Sequence, residues 1–143
     1  MRYFRAYVIN FSITENAIIR NQVCSFNMLS ELHQMGVNIS LDDFGTGFSS
    51  LSLINKLPLS QLKIDHSFVS DMDTKQKRLE IVQSTVDLGK NMSLEVIAEG
   101  VENSNQIEIL ELLGCEYIQG NYLAKPMPVA EFESWLKDQP KAS

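Results

Sequence analysis

The sequence predicts an α/β protein with a parallel sheet, and three observations carry that expectation. Short β-branched or aliphatic runs alternate with longer stretches of helical periodicity. Helical crossovers between successive strands argue for parallel pairing. Three strands also end in a polar residue with glycine close behind ("LDDFG", "IAEG" and "IQG"), and a fourth ends in "KID".

Each element has its own warrant. "YVINFSI", Tyr7 to Ile13, reads as the first strand. Asn16 to Met35 carries Val23, Phe26, Leu29 and Leu32 at helical spacing, with Gly36 as a C-terminal cap. "VNISLDD" is the second strand, and "SSLSLINKL" a short helix stopped by Pro58. "LSQLKID" is the third strand. Lys77 to Leu88 is helical through Leu79, Val82 and Val86, ending near Gly89. "SLEVIAEG" is the fourth strand, Asn105 to Leu113 a helix closed by Gly114, and "CEYIQG" the fifth strand. After "AKPMP" a last helix, Val129 to Lys137, carries Phe132 and Trp135 as expected core contacts. Residues 1–137 form one domain in this reading, and 138–143 a loose tail.

Composition narrows the function. The chain has 143 residues, 44% hydrophobic and 21% charged, which is ordinary for a soluble globular domain. A net charge of −6 argues against a nucleic-acid polymer as partner. An anionic substrate would need a metal or a local cation. Cys24 and Cys115 fit no metal or redox spacing and read as buried thiols. No apolar run reaches the roughly 20 residues that span a bilayer, and the N-terminus lacks a long apolar signal core. A cytoplasmic location follows as the expectation.

Parallel strands place their C-terminal ends on one edge, where α/β active sites lie. Asp42, Asp43, Lys63, Glu99 and Gln119 would converge there. Singly, each has an ordinary explanation. An acid pair before glycine is usually a solvated turn or a cap, Glu99 can point into water, and Lys63 can snorkel to the rim. Their recurrence at the same end of successive strands favours a site. His33 and His66 have no partner at ligand spacing and read as structural or surface residues. "FGTGFSS" lacks the Lys-Ser/Thr pair of a phosphate loop and reads as a mobile loop beside the acids.

The blocks "FSITEN", "LDDFGTGFSS", "LPLSQLKIDHSFV", "VIAEGVEN" and "GCEYIQGNYLAKPMP" closely resemble, in order, those of the EAL domain, a bacterial cyclic di-GMP phosphodiesterase family. The resemblance covers about Tyr7 to Trp135. It implies a (β/α)8 barrel of which this chain supplies about the last five βα units. A barrel of roughly 250 residues needs about 155 for five units. It further implies Mg2+ or Mn2+ held by Asp42, Asp43 and Glu99, with Asp42 between two ions. Lys63 would orient the attacking water and Glu99 would assist catalysis. Gln119 would line the site, and Glu15 would brace the "DFGTG" loop. Hard carboxylate oxygens suit those ions, and two of them about 3.5–4 Å apart can activate water for phosphodiester hydrolysis.

Three departures weigh against full activity. The segment with the family's Glu-Ala-Leu motif has no counterpart here, nor do those with a substrate-binding Arg and a metal-ligating Asn. Ser12 stands where the family has another metal-ligating Glu. The first reading is therefore a truncated, inactive or impaired EAL phosphodiesterase. The alternative is a degenerate EAL domain that binds protein or nucleotide as a regulatory module. A homodimer or a partner protein would cover the open edge of the first strand. A third reading, a flavodoxin- or receiver-like sheet, places the acid pair on the first strand and the lysine on the last. Here they fall on the second and third.

Overall fold

Five parallel strands lie side by side in strict chain order, β1-β2-β3-β4-β5. The computed structural model describes residues 10–20, 22–45 and 51–138. The elements are β1 (Asn10–Thr14), α1 (Glu15–Arg20), α2 (Gln22–Gln34), β2 (Asn38–Phe44), α3 (Leu51–Ile54), β3 (Gln61–Ile64), α4 (His66–Val69), α5 (Gln76–Asn91), β4 (Glu95–Glu99), α6 (Ser104–Leu113), β5 (Tyr117–Gln119) and α7 (Val129–Asp138). Every crossover advances by one strand in one direction. A doubly wound sheet reverses direction at a switch point, so the flavodoxin-like reading is excluded. Tyr7 to Ile9 of the expected first strand, most of the glycine loop and the tail from residue 139 lie outside the described residues.

The sheet is apolar on one face and largely polar on the other, where Ile97 of β4 is an exception. Ile13, Ile39, Leu41, Leu62, Ile64, Val96 and Ala98 are buried in two clusters. Helical partners include Ile18 and Leu29 in one cluster and Phe68, Val82, Val86 and Leu110 in the other. The alternate residues Ser12, Ser40, Gln61, Lys63, Glu95, Glu99 and Gln119 lie on the opposite face, because strand side chains alternate. Gln61 Nε2 donates to Glu95 Oε2 at 2.8 Å on that face.

Several expectations change. Over the expected Asn16–Met35 helix the described residues are helical in α1 and α2, and residue 21 between them lies outside the described residues. Leu29 is fully buried on α2, but Phe26 and Cys24 are exposed, while Cys115 is buried as expected. The inward stripe of α2 follows Ser25, Leu29 and Leu32, and Cys24 and Phe26 fall on either side of it. Gly89 does not end its helix; α5 continues to Asn91. A Cβ at Gly89 would collide with the Val96 side chain, so this glycine allows helix and sheet to approach closely. Phe132 and Trp135 are not core contacts. α7 buries no residue, and the two rings stack on each other at 5.9 Å. Among the described residues the α7 aromatics adjoin Gln119 at the end of β5 and Pro126 and Met127 after it, rather than either buried cluster. The four-residue helix α4 follows "KID" directly and is capped by Asp65.

Candidate functional site

Adjacent strand residues normally point to opposite faces, so Asp42 and Asp43 pose a geometric question. A bulge answers it. Leu41 pairs with Leu62 and Phe44 with Ile64, so Asp42 and Asp43 together oppose the single residue Lys63. Asp43 takes the extra position with φ 56°, a left-handed conformation that Asp tolerates better than most residues. Without the extra residue, Asp43 would face the helical layer. Its backbone N–H donates to Asp42 Oδ1 at 3.0 Å.

Lys63 joins two strands at this edge. Its ammonium donates to Asp42 Oδ2 at 3.0 Å and forms an ion pair with Glu99 Oε1. Burial pushes the Lys63 pKa down, but hydrogen bonds to Glu99 and Asp42 and their charges outweigh it, and the net shift is upward. Lys63 is therefore a fixed cation at neutral pH, between one carboxylate from β2 and one from β4.

A second carboxyl pair lies alongside. Burial, and then the charges of Asp42 and Asp65, push the Asp43 carboxyl above its usual range, and Lys63 offsets part of this. Asp65 moves the other way. Burial raises it, but hydrogen bonds from Ser67, the charge of His66 and a bond from Asp43 bring it below the usual range. The opposite directions mark two neighbouring carboxyls whose charges oppose each other, with Asp65 the one better supplied with donors. Asp65 Oδ1 also accepts from Ser67 N at 2.9 Å, capping α4. The sequence reading passed over Asp65 as a site residue. The signal was its place two residues after Lys63 at a strand end.

The remaining candidates fall at different distances from this centre. Gln119 sits opposite Glu99 in the β4–β5 register and is exposed. Its carbonyl accepts from Val101 N at 3.1 Å, which ties the loop after Glu99 to the end of β5. A Cβ on Gly120 would strike the Val101 backbone, and one on Gly100 (φ 76°) would strike His66. Two of the strand-end glycines thus let these loops close on each other. Ser12 is exposed on β1, opposite Ser40 and two residues below the level of Asp42. Glu15 opens α1, and most of the loop it was expected to brace lies outside the described residues. His33 and His66 are both exposed.

The donor set tests the expected cation. Asp42, Asp43, Asp65 and Glu99 are hard oxygen donors of the kind Mg2+ and Mn2+ prefer. Their arrangement does not complete a site. Among the described residues no group of three His, Cys, Asp or Glu is placed to hold a metal ion. Asp42 and Glu99 are instead engaged by Lys63, and Asp43 by Asp65. The kind of donor fits; the number and placement do not. Among the described residues no helix is long and apolar enough to cross a membrane.

Comparison with known proteins gives this edge its context. Residues 4–126 match the EAL domain family. The cyclic di-GMP phosphodiesterase NbdA of Pseudomonas aeruginosa is 38% identical over 132 residues, 92% of this chain and 17% of its own length. The chain therefore spans about a sixth of such curated relatives. The PaMucR phosphodiesterase, solved with c-di-GMP, superposes with a TM-score of 0.86 at 40% identity, covering 90% of this chain and 52% of that one. BlrP1 of Klebsiella pneumoniae, solved as a manganese/cyclic di-GMP complex, superposes with a TM-score of 0.79 at 28% identity, covering 86% of this chain and 31% of that one. The sequential parallel sheet corresponds to part of their barrel, and by sequence and structure together this chain belongs to the EAL domain family.

Proposed function

We propose that the strand-end edge of β2, β3 and β4 is a cyclic di-GMP site of the EAL type, with phosphodiester hydrolysis weak or absent on this chain. Asp42, Asp43 and Glu99 supply carboxylates of the kind a divalent cation takes, too few and too scattered as placed to complete its site. Lys63 is the group that positions water and phosphate, and Gln119 a lining residue. The observation that carries this reading is the Lys63 ammonium held between Asp42 and Glu99. It gathers one cation and two carboxylates from β2, β3 and β4 at a single edge, the donor types that a metal-assisted phosphodiester site uses. Relatives that bind or cleave cyclic di-GMP support the substrate class.

The impaired step follows from the ligand count. Metal-assisted phosphodiester hydrolysis needs a divalent cation that acts as Lewis acid and lowers the pKa of a bound water. The described residues offer scattered carboxylates and no group of three, and Ser12 is a hydroxyl where a carboxylate would add charge. A regulatory binding module is the second reading, favoured by the same incomplete set, because a site short of metal ligands can retain a nucleotide without cleaving it. The test is cyclic di-GMP binding by calorimetry, with hydrolysis followed by chromatography in excess Mn2+. The expected result is saturable binding that Lys63→Met abolishes, with product formation no faster than in Asp42→Asn. No binding at any metal concentration would refute the site; turnover well above the Asp42→Asn control would refute the impairment.

A further inference from the structure

The geometry points to Gln106 as a positioning residue that locks the loop after Glu99 onto the segment after Lys63. This inference rests on the reading of Lys63 and Glu99 as the working pair. Gln106 is 1% exposed, one of few buried polar side chains, and it belongs to neither strand end. Its carboxamide makes bonds in two directions. Oε1 accepts from Glu102 N at 2.7 Å and Asn103 N at 3.3 Å, just beyond Glu99 on the β4–α6 loop. Nε2 donates to Ser70 O at 3.0 Å and Val69 O at 3.3 Å, at the far end of α4.

Both attachments lead back to the site by short, rigid routes. α4 starts at the Asp65 cap, two residues past Lys63. The β4–α6 loop starts at Glu99 itself, with Gly100 against His66. The Lys63–Glu99 ion pair is thus one tie between the β3 and β4 ends, and Gln106 is the tie on the other side of the same loops. A second strut, Asn103 Nδ2 to Asp73 Oδ2 at 3.3 Å, runs parallel to it.

The chemistry of the position selects a primary amide. Two acceptor and two donor interactions from one planar head need both an oxygen and an NH2 group. Part of the arrangement is an ordinary capping box, since Gln106 N also donates to Asn103 Oδ1 at 2.9 Å. A capping box does not need the Nε2 bonds to α4. Those bonds convert a local helix cap into a link between two site-bearing loops. Small displacements of a site group are expensive: about 1 Å can cost on the order of 100-fold in rate.

The test is NMR on the full 143-residue chain, labelled with 15N, beside Gln106→Glu and Gln106→Met. The readout is proton exchange at the Lys63 ammonium, which is slow while carboxylates hold it. Exchange is expected to be about tenfold faster in Gln106→Met, the order set by losing one hydrogen bond's restraint. Gln106→Glu keeps the acceptor half but turns a carboxylate onto the Val69 and Ser70 carbonyls, so its exchange is expected to be faster too. A lower melting temperature in both variants with unchanged Lys63 exchange would reduce Gln106 to a helix cap and overturn the proposal. Should neither variant fold, amide exchange in the unaltered chain decides. Glu102 and Asn103 amides opening together with the α4 amides supports the link, and their exchange at free-loop rates overturns it. Adding cyclic di-GMP is a separate arm. A nucleotide that leaves the Lys63 resonance unmoved counts against the binding site, while the comparison made without nucleotide still judges Gln106.

Discussion

Replacing Lys63 with methionine removes the cation between two strands while keeping most of the side-chain volume. Its two partners then face each other across β3 with no counter-charge. The Lys63 side chain is 15% exposed, Asp42 21% and Glu99 17%, so both pairs lie between the surface and buried limits. Charge-assisted hydrogen bonds contribute about 1.5–3 kcal/mol each, and fully exposed ion pairs no more than about 1 kcal/mol. At this depth the two together are worth about 2–4 kcal/mol. For a chain of this size that lowers the melting temperature by about 6–12 °C, at about 3 °C per kcal/mol. The pH dependence has a definite sign. The folded pKa of Lys63 lies above its ordinary 10.5, so its contribution is complete below that value and lost as pH rises through the folded pKa. Thermal denaturation by circular dichroism at pH 7 and pH 9 should therefore give the same wild-type-to-mutant gap. In a Glu99→Gln background the gap should shrink, because the pair is coupled. A gap under about 1 kcal/mol, or one untouched by Glu99→Gln, would falsify the claim that Lys63 ties β2 to β4.

Gly89→Ala improves helix propensity yet should destabilise by about 1–3 kcal/mol, since the new methyl meets the Val96 side chain; denaturant midpoints decide the sign. Asp65→Asn keeps an oxygen to cap α4 and should cost only what the carboxylate charge contributes, at most about 1 kcal/mol after solvent screening. Because the Asp65 pKa is lowered, that cost should be present above its ordinary 3.8 and disappear as pH falls through the folded value, as melting curves from pH 7 to pH 2 would register. Asp43→Asn should do the reverse. The raised Asp43 pKa means that its charge opposes folding above the ordinary 3.8, and Asn tolerates the left-handed φ, so the variant should melt slightly higher at pH 7. Solvent screening keeps that gain at or below about 1 kcal/mol. The same change should weaken Mn2+-dependent cyclic di-GMP binding, the stability–function exchange found at working sites.

The alternation of strand and helix was legible because it rests on periodicities of two and 3.6 residues, which are local properties of the chain. The five strand cores, the Gly114 stop and the gathering of Asp42, Lys63 and Glu99 at one edge all follow from that alternation once the sheet is parallel. Exposure was less legible. Phe26, Cys24, Phe132 and Trp135 are apolar in type, but whether such a side chain is covered depends on which elements lie opposite it.

The sequence by itself determined which chemical groups are available at the strand ends: three acids, a lysine and an amide in chain order. Only the tertiary structure decided how they are used. The bulge opposite Lys63 brings both adjacent acids to one edge, and that bulge exists only in the pairing of β2 with β3. The coupling of the Asp43 and Asp65 carboxyls, and the Gln106 link between two loops, join residues from separate elements. Electrostatic and hydrogen-bond energies depend on distances of a few ångströms, and those distances are set by packing across the sheet rather than by spacing along the chain.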